Sequence, residues 1–226
     1  LNEKPKADDQ FQIDILKQNK IIRTVSTKKG DPAKTFGQPY IAKTLSPKKG
    51  INRFIWDFKN DDLVTVNDVS FYGSYNGYRM GAGKYTAKIT WNNNIIEKSF
   101  EIKNDPRIEI GNQETEDHQQ LMKNLYEKIN DLHNTIVSAR DIRNQITMTN
   151  AQIEDMSELK NLILAGKSAI ESINEWEGNV IQTKMETFQD VVNFLNRLNS
   201  HMINLLNTMD QSDPPLTQGQ KDRYND

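Results

Sequence analysis

The pattern of apolar and polar positions changes at residues 104–107, where Asn-Asp-Pro-Arg separates two kinds of periodicity. Before this point, short runs in which apolar and polar residues alternate are separated by turns rich in Gly, Pro and Asn. Alternation with a period of two is typical of half-buried strands. After it, apolar residues recur every three or four positions, which is typical of amphipathic helices. The pattern therefore predicts an α+β chain of two domains, with strands over residues 1–106 and helices over residues 107–226.

At least five strands are predicted in the first half. Two hairpins are expected, one over residues 10–26 and one over residues 85–102, each with a short polar turn. A further strand is predicted over residues 51–58, which place Phe54, Trp56 and Phe58 on one face. Strands of this number and length favour an antiparallel β-sandwich of immunoglobulin-like type.

The second half is predicted to form an antiparallel bundle of three to four helices. The longest helix begins near Thr115, its expected N-cap, and its pattern loosens at residues 147–150. The second helix extends to about Lys184, and Thr217 is the expected N-cap of the fourth. The apolar positions of the third helix are Phe188, Val191, Leu195, Leu198, Met202, Leu205 and Met209.

The two halves carry opposite charge. Residues 1–110 hold 19 Lys and Arg against 13 Asp and Glu, whereas residues 111–226 hold 10 against 18, and the whole chain has a formal net charge of −2. The opposite charges favour docking of the halves on each other, although attraction between exposed charges is weak. A net charge so close to zero is not that of a nucleic-acid-binding protein.

Composition excludes several kinds of site. The chain has no cysteine, which excludes disulfides, thiolate nucleophiles and Cys-ligated zinc. No stretch approaches the ~18–20 apolar residues that a membrane-spanning helix needs.

The other chemistry-bearing residues predict no catalytic, metal or cofactor site. His118, His133 and His201 lack the spacing of a metal motif, and two of them are expected on polar helix faces. Asp61-Asp62 and Glu154-Asp155 could serve acid/base chemistry, but are interpreted as solvated loop charges. The chain is therefore not predicted to be an enzyme.

One loop predicts a contact surface. Residues 71–79 carry four aromatic rings and two glycines just before a strand. Its candidate contact residues are Tyr72, Tyr75, Tyr78 and Arg79, which together could stack on sugar rings or grip another protein. The alternative is that these rings cover the end of the sandwich or dock onto the helices.

Three segments resemble the immunoglobulin-like domain of flagellar hook-capping proteins. They are the hairpin FQIDILKQNKIIRT from Phe11, the strand GINRFIWD from Gly50 and the strand GKYTAKIT from Gly83. Their order and spacing agree with that domain, and the resemblance implies a fold rather than an activity.

The junction Ile102–Arg107 and the helical segment IVSARDIR, residues 136–143, extend the likeness. With them the chain resembles the C-terminal region of exported bacterial proteins built on a sortilin-like β-propeller of BNR/Asp-box repeats, commonly described as glycosyl hydrolases. The resemblance implies an exported protein and a propeller preceding Leu1 as the partner within the same chain. No Asp-box occurs in this sequence, so the resemblance assigns no catalytic residue here.

A non-catalytic accessory region, structural or interaction-mediating, is therefore the function that the sequence favours. Two alternatives stay open at this point. One is a carbohydrate-binding module that uses residues 71–79; the other is a part of a glycoside hydrolase that contributes to its cleft.

Overall fold

The computed structural model has one antiparallel sheet followed by a helical region of four helices and one further helical turn of four residues, counted over the described residues. It describes residues 1, 3, 5–6, 9–28, 40–107, 109, 111–187 and 189–226. The strands are β1 (Phe11–Lys17), β2 (Lys20–Ser26), β3 (Gly83–Trp91) and β4 (Asn94–Ile102). The helices are α1 (Asn112–Gln152), α2 (Lys160–Val180), α3 (Asp190–Asn193), α4 (Leu198–Asp210) and α5 (Gln218–Asn225). The α+β class predicted from the periodicity is confirmed.

The sheet is open and has the order β2-β1-β3-β4. Both predicted hairpins are present, and the β1–β2 turn is tight because Gln18 and Asn19 adopt φ values of 50° and 61°. One face carries Ile13, Ile15 and Tyr85, which are buried. The alternation of the strands therefore leaves the opposite face polar.

The described residues form one sheet and not a full sandwich. The strand predicted over residues 51–58 is absent, although Phe54 and Trp56 pack against the inner face, with the Trp56 ring 5.5 Å from that of Tyr85. Phe58 has a φ of 62°, which a continuing strand cannot adopt. The chain therefore leaves the sheet here after covering it with two rings.

α1 is one unbroken helix of 41 residues, about 60 Å long. The loosening predicted at residues 147–150 does not interrupt it: the helix runs through these residues to Gln152, and the Asn150 side-chain amide donates to the Ile163 carbonyl of α2. Thr115 is not its N-cap. The helix begins after Gly111, whose N–H donates to Glu114 Oε2 at 2.9 Å, and the Thr115 hydroxyl donates back to the Gly111 carbonyl.

The predicted third helix is divided into α3 and α4. The Asp190 carboxylate accepts the N–H groups of Glu186 and Thr187 at 2.7 Å each, which fixes a turn before α3. Leu195 and Leu198, two positions of the predicted apolar stripe, are 69% and 49% exposed, so this part of the stripe is not packed against a described surface. Phe188 lies outside the described residues.

The short last helix, α5, begins where the sequence predicts. Thr217 Oγ1 accepts the Gln220 N–H at 3.2 Å, and Gln220 Oε1 accepts the Thr217 N–H at 2.9 Å. This reciprocal pair is a capping box, so the predicted N-cap is confirmed.

Residues 60–80 pack mainly on the helices rather than on the sheet. They contribute to a core, here called the helical core, that consists of Leu63, Tyr75, Tyr78, Met122, Leu125, Ile129, Ile203, Leu205, Leu206 and Met209. Val66 and Val69 extend it along α1 towards Val180 and Ile181 at the end of α2. The domain boundary predicted at residue 106 stays a prediction. Residues 60–80, which precede it in the sequence, fill the core between the helices that follow it.

Candidate functional site

The four candidate contact residues lie at the junction of sheet and helices and have different environments. Tyr75 and Tyr78 are only 3% and 6% exposed, whereas Tyr72 is 67% exposed and the Arg79 side chain is 45% exposed. The structure therefore does not bring three tyrosine faces to one surface. Tyr72 is the only ring of the three that a ligand can reach.

The Tyr75 ring is held on several sides within the helical core. It packs edge-on to Phe71 at 5.0 Å and lies 5.9 Å from the imidazole of His133. Its hydroxyl donates to the Val66 carbonyl at 3.1 Å, and burial raises its pKa to about 12. Tyr78 packs against Tyr126 of α1 at 5.6 Å. Both rings serve the core rather than a sugar.

Close backbone contacts explain the glycines of this loop. A Cβ at Gly77 would lie 2.2 Å from Asn60 Oδ1, and one at Gly73 would lie 2.8 Å from Ile203 Cγ2. Asn60 Oδ1 also accepts the Tyr78 N–H at 2.7 Å. These glycines allow residues 73–78 to fold tightly between residues 60–63 and α4, which buries both tyrosines.

Asp210, at the C-terminal end of α4, connects the junction electrostatically. Its Oδ2 pairs with Lys59 Nζ at 2.6 Å, and its Oδ1 accepts the Arg79 N–H. Arg79 Nε donates to the Asp210 carbonyl at 2.8 Å. Lys59 and Arg79 form a β-bridge with each other, so one buried carboxylate holds both strands of that bridge to the helix.

The interpretation of Asp61 and Asp62 as solvated loop charges is wrong, because both carboxylates bond to β2. Asp62 pairs with the buried Arg23 of β2 at 2.7 Å and accepts the Tyr40 hydroxyl. Asp61 accepts the Thr24 N–H at 2.9 Å, and burial raises its pKa. Each carboxylate is bonded to the sheet rather than directed across a cleft, so the pair does not form the arrangement of a glycosidase.

Two of the three histidines are buried, contrary to the expectation that two lie on polar faces. His133 is fully buried, with Nδ1 against the Val64 carbonyl and Nε2 2.7 Å from the Asn199 side chain. Burial lowers its pKa. The Asn199 atom that faces Nε2 is Oδ1, so a neutral imidazole that donates through Nδ1 to the Val64 carbonyl satisfies both contacts only with the Asn199 amide turned to present its NH2.

His118 is buried at the edge of a cavity of about 260 Å³ between the sheet, α1 and the end of α4. Neither ring nitrogen has a hydrogen bond of good geometry to the described residues. Burial lowers the pKa of His118, and Arg79 acts in the same direction, whereas Asp210, Asp213 and the Met209 carbonyl oppose them. The sequence spacing could have predicted that both histidines are buried. His118 precedes Met122 by four residues and His133 follows Ile129 by four, so each lies on the apolar face of α1.

Stability should therefore fall in acid because of His118, in addition to the contribution of the buried His133, whose pKa is lowered too. The unfolded chain takes up a proton near the ordinary imidazole pKa of about 6.5, and the folded chain resists it to lower pH. The stabilising contribution is present above that pH and is lost as the pH falls, with a slope of up to about 1.4 kcal/mol per pH unit. We expect His118→Leu to reduce the slope of unfolding free energy against pH, measured by urea denaturation between about pH 7 and pH 5.

His201→Leu is the matched control, because His201 is exposed on α4. It should keep the slope of the unsubstituted chain. Equal slopes for the two variants would show that His118 does not carry the acid sensitivity.

The helical segment 136–143 contains a further cluster that sequence reasoning missed. Arg140 Nε and Arg143 Nη1 each lie 2.6 Å from a different oxygen of the buried Glu177 of α2. Arg140 also donates to the Asn67 carbonyl at 2.6 Å. The two arginines and the Glu177 carboxylate thereby connect α1, α2 and residues 60–80. Helical periodicity cannot predict this ion-pair cluster, because Glu177 is 34 residues from Arg143.

Within the described part of the chain, no group of three or more His, Cys, Asp or Glu side chains is placed to hold a metal ion. No described helix is both long and apolar enough to cross a membrane.

No family model, curated protein or solved structure matches the chain.

Proposed function

We propose that this chain is a non-catalytic accessory region that supports, positions or helps to assemble a larger exported protein. The observation that carries the proposal is the path of residues 59–82. They leave the sheet after Phe58, enter the helical core, and return to the sheet at β3. A segment fixed at both ends in this way makes the sheet and the helices one rigid unit, which is what a positioning element requires.

The coupling combines apolar burial with directed polar contacts. Tyr75, Tyr78 and Leu63 are buried against α1 and α4, and burying such side chains stabilises by roughly 1.5–3 kcal/mol each. The Asp210 pairs and the Arg23–Asp62 pair fix the angle at the two ends of the segment. Since the apolar contribution is larger than that of exposed ion pairs, the coupling should not depend on the opposite net charges of the two halves.

The finer features of the proposal rest on the resemblance. If the resemblance holds, the four-stranded sheet corresponds to one sheet of an immunoglobulin-like sandwich. Phe54 and Trp56 then cover the face that the second sheet would cover. The β-propeller expected before Leu1 is the partner that this region positions, and export is the expected location.

The carbohydrate-binding alternative now depends on Tyr72 and Arg79. With Tyr75 and Tyr78 buried, a single exposed ring remains for stacking, and this does not favour a sugar-binding platform. The accessory role is therefore the one that the geometry supports best.

Spin labels test the rigid coupling. The chain has no cysteine, so Glu97→Cys on β4 and Asp131→Cys on α1 give two unique attachment sites, both exposed. We expect electron–electron distance measurements to give one narrow distribution. A broad or bimodal distribution would mean that sheet and helices move independently, and the proposal would fail.

A further inference from the structure

A cavity of about 260 Å³ opens beside His118, between the sheet, α1 and the end of α4. Its size is that of a small-molecule site, because an apolar protein cavity of about 150 Å³ holds benzene. A volume of about 260 Å³ therefore accommodates a molecule of roughly ten non-hydrogen atoms. Ile102 belongs to β4, Met122 to α1 and Asp210 to α4, so a molecule of this size reaches all three parts of the junction.

Most of the cavity wall is apolar. Six apolar side chains line it, namely Phe58, Met80, Ala82, Ile102, Met122 and Pro214. Met122 is 1% exposed and lies on the floor, whereas Phe58 is 49% exposed and lies at the open side. These surfaces suit the apolar body of a ligand, and the Phe58 ring at the opening offers it an aromatic face.

His118 is the polar group that this wall leaves unsatisfied. It is 3% exposed, and among the described residues that line the cavity it alone holds buried side-chain nitrogen or oxygen atoms without a hydrogen bond. Burial lowers its pKa, so at neutral pH the ring is uncharged and has one donor and one acceptor nitrogen. The Met209 carbonyl acts on the ring as an acceptor and raises the pKa against the effect of burial. The N–H therefore points towards Met209, and the other nitrogen is an acceptor that lacks a donor.

The charged groups around the cavity are matched by partners. The pairs are Asp210 with Lys59, Asp210 with Arg79, and Asp105 with Arg107, at 2.6, 3.8 and 2.5 Å. Two further charges, those of Lys103 and Asp213, are exposed and opposite in sign. In the described part of the wall, no buried charge is therefore left for a charged ligand to neutralise. An uncharged ligand also avoids the desolvation that a charged one requires.

We propose that this cavity binds a small uncharged molecule with an apolar body and one hydroxyl group, which donates a hydrogen bond to the free nitrogen of His118. The hydroxyl supplies the donor that the nitrogen lacks, whereas a hydrocarbon leaves it unsatisfied inside a filled cavity. A carboxylate has only acceptor oxygens and would oppose its lone pairs to that of the nitrogen. The site goes beyond the rigid coupling proposed above and does not depend on it.

NMR titration with three probes of similar shape, benzyl alcohol, toluene and benzoate, tests the proposal. We expect benzyl alcohol to bind at neutral pH with a dissociation constant of about 0.1–1 mM, in keeping with its small size. Toluene and benzoate should bind at least about tenfold more weakly. The largest shift should fall on the imidazole resonance of His118, one of three histidines in the chain. Equal affinities of benzyl alcohol and toluene, tighter binding of benzoate, or no shift of His118 at about 5 mM benzyl alcohol overturns the proposal.

His118→Leu removes the acceptor nitrogen and keeps an apolar wall. Toluene and benzyl alcohol should bind this variant within about threefold of each other, as followed at the methyl resonance of Met122 on the cavity floor. His201→Leu is the matched control, because His201 is exposed on α4, and it should keep the preference for benzyl alcohol. Circular dichroism checks that both variants are folded; if His118→Leu is not, the three probes on the unsubstituted chain decide. A preference that survives in folded His118→Leu would place the hydroxyl elsewhere and contradict the proposal.

Discussion

Replacing Tyr75 by alanine should lower the free energy of unfolding by about 4 kcal/mol. The substitution removes a ring that is 3% exposed and packs against Phe71, Tyr40 and His133. The loss combines the transfer free energy of the ring with the cavity that it leaves between residues 60–80, α1 and α4. The deleted hydroxyl also leaves the buried Val66 carbonyl without its donor. Urea denaturation followed by circular dichroism measures the change.

Tyr72→Ala is the control for this substitution, three residues away in the same loop. Tyr72 is 67% exposed, so its removal should cost less than about 0.5 kcal/mol. A large loss at Tyr72, or a negligible loss at Tyr75, would mean that the loop presents its rings to solvent. In that case the carbohydrate-binding alternative would regain its platform.

Replacing Asp210 by asparagine should cost about 2 kcal/mol. Removing one member of a buried pair leaves Lys59 only partly exposed and without its counter-ion, a loss of about 3 kcal/mol. Part of this loss is offset, because a negative charge at the C-terminal end of α4 opposes the helix dipole by up to about 1 kcal/mol. The unfolding free energy from urea denaturation measures the net effect.

Asp213→Asn provides the comparison, since Asp213 is exposed and forms no salt bridge with a described residue. Its loss should change stability by less than about 0.5 kcal/mol. If both substitutions had the same small effect, Asp210 would not connect the bridge at Lys59 and Arg79 to the helices.

The features that sequence predicts well are those set by short-range pattern. The two hairpins follow from alternation and from turn residues such as Asn19, a residue type that tolerates positive φ. α1 follows from steps of three and four, and the N-cap Thr217 from its reciprocal pair with Gln220. Each depends on residues within one or two turns of each other.

The features that the sequence pattern does not predict depend on contacts between residues far apart in the chain. Residues 60–80 have the apolar and aromatic content of a sheet protein, but their partners are Met122 and Ile203, far along the chain. Tyr72 and Tyr75 look alike in sequence and differ in exposure only because the loop closes on α4. The same reason applies to Glu177, whose partners are on α1. The predicted third helix divides at a point where Leu195, a position of its apolar stripe, is exposed rather than packed.

The most direct test of the central claim is the distance between spin labels at positions 97 and 131, measured in low salt and in about 1 M salt. If residues 59–82 couple the sheet to the helices through a buried core, one narrow distribution at the same distance should be found in both. A distribution that broadens or shifts in high salt would contradict the account, because it would mean that opposite surface charges, and not the core, hold the two parts together.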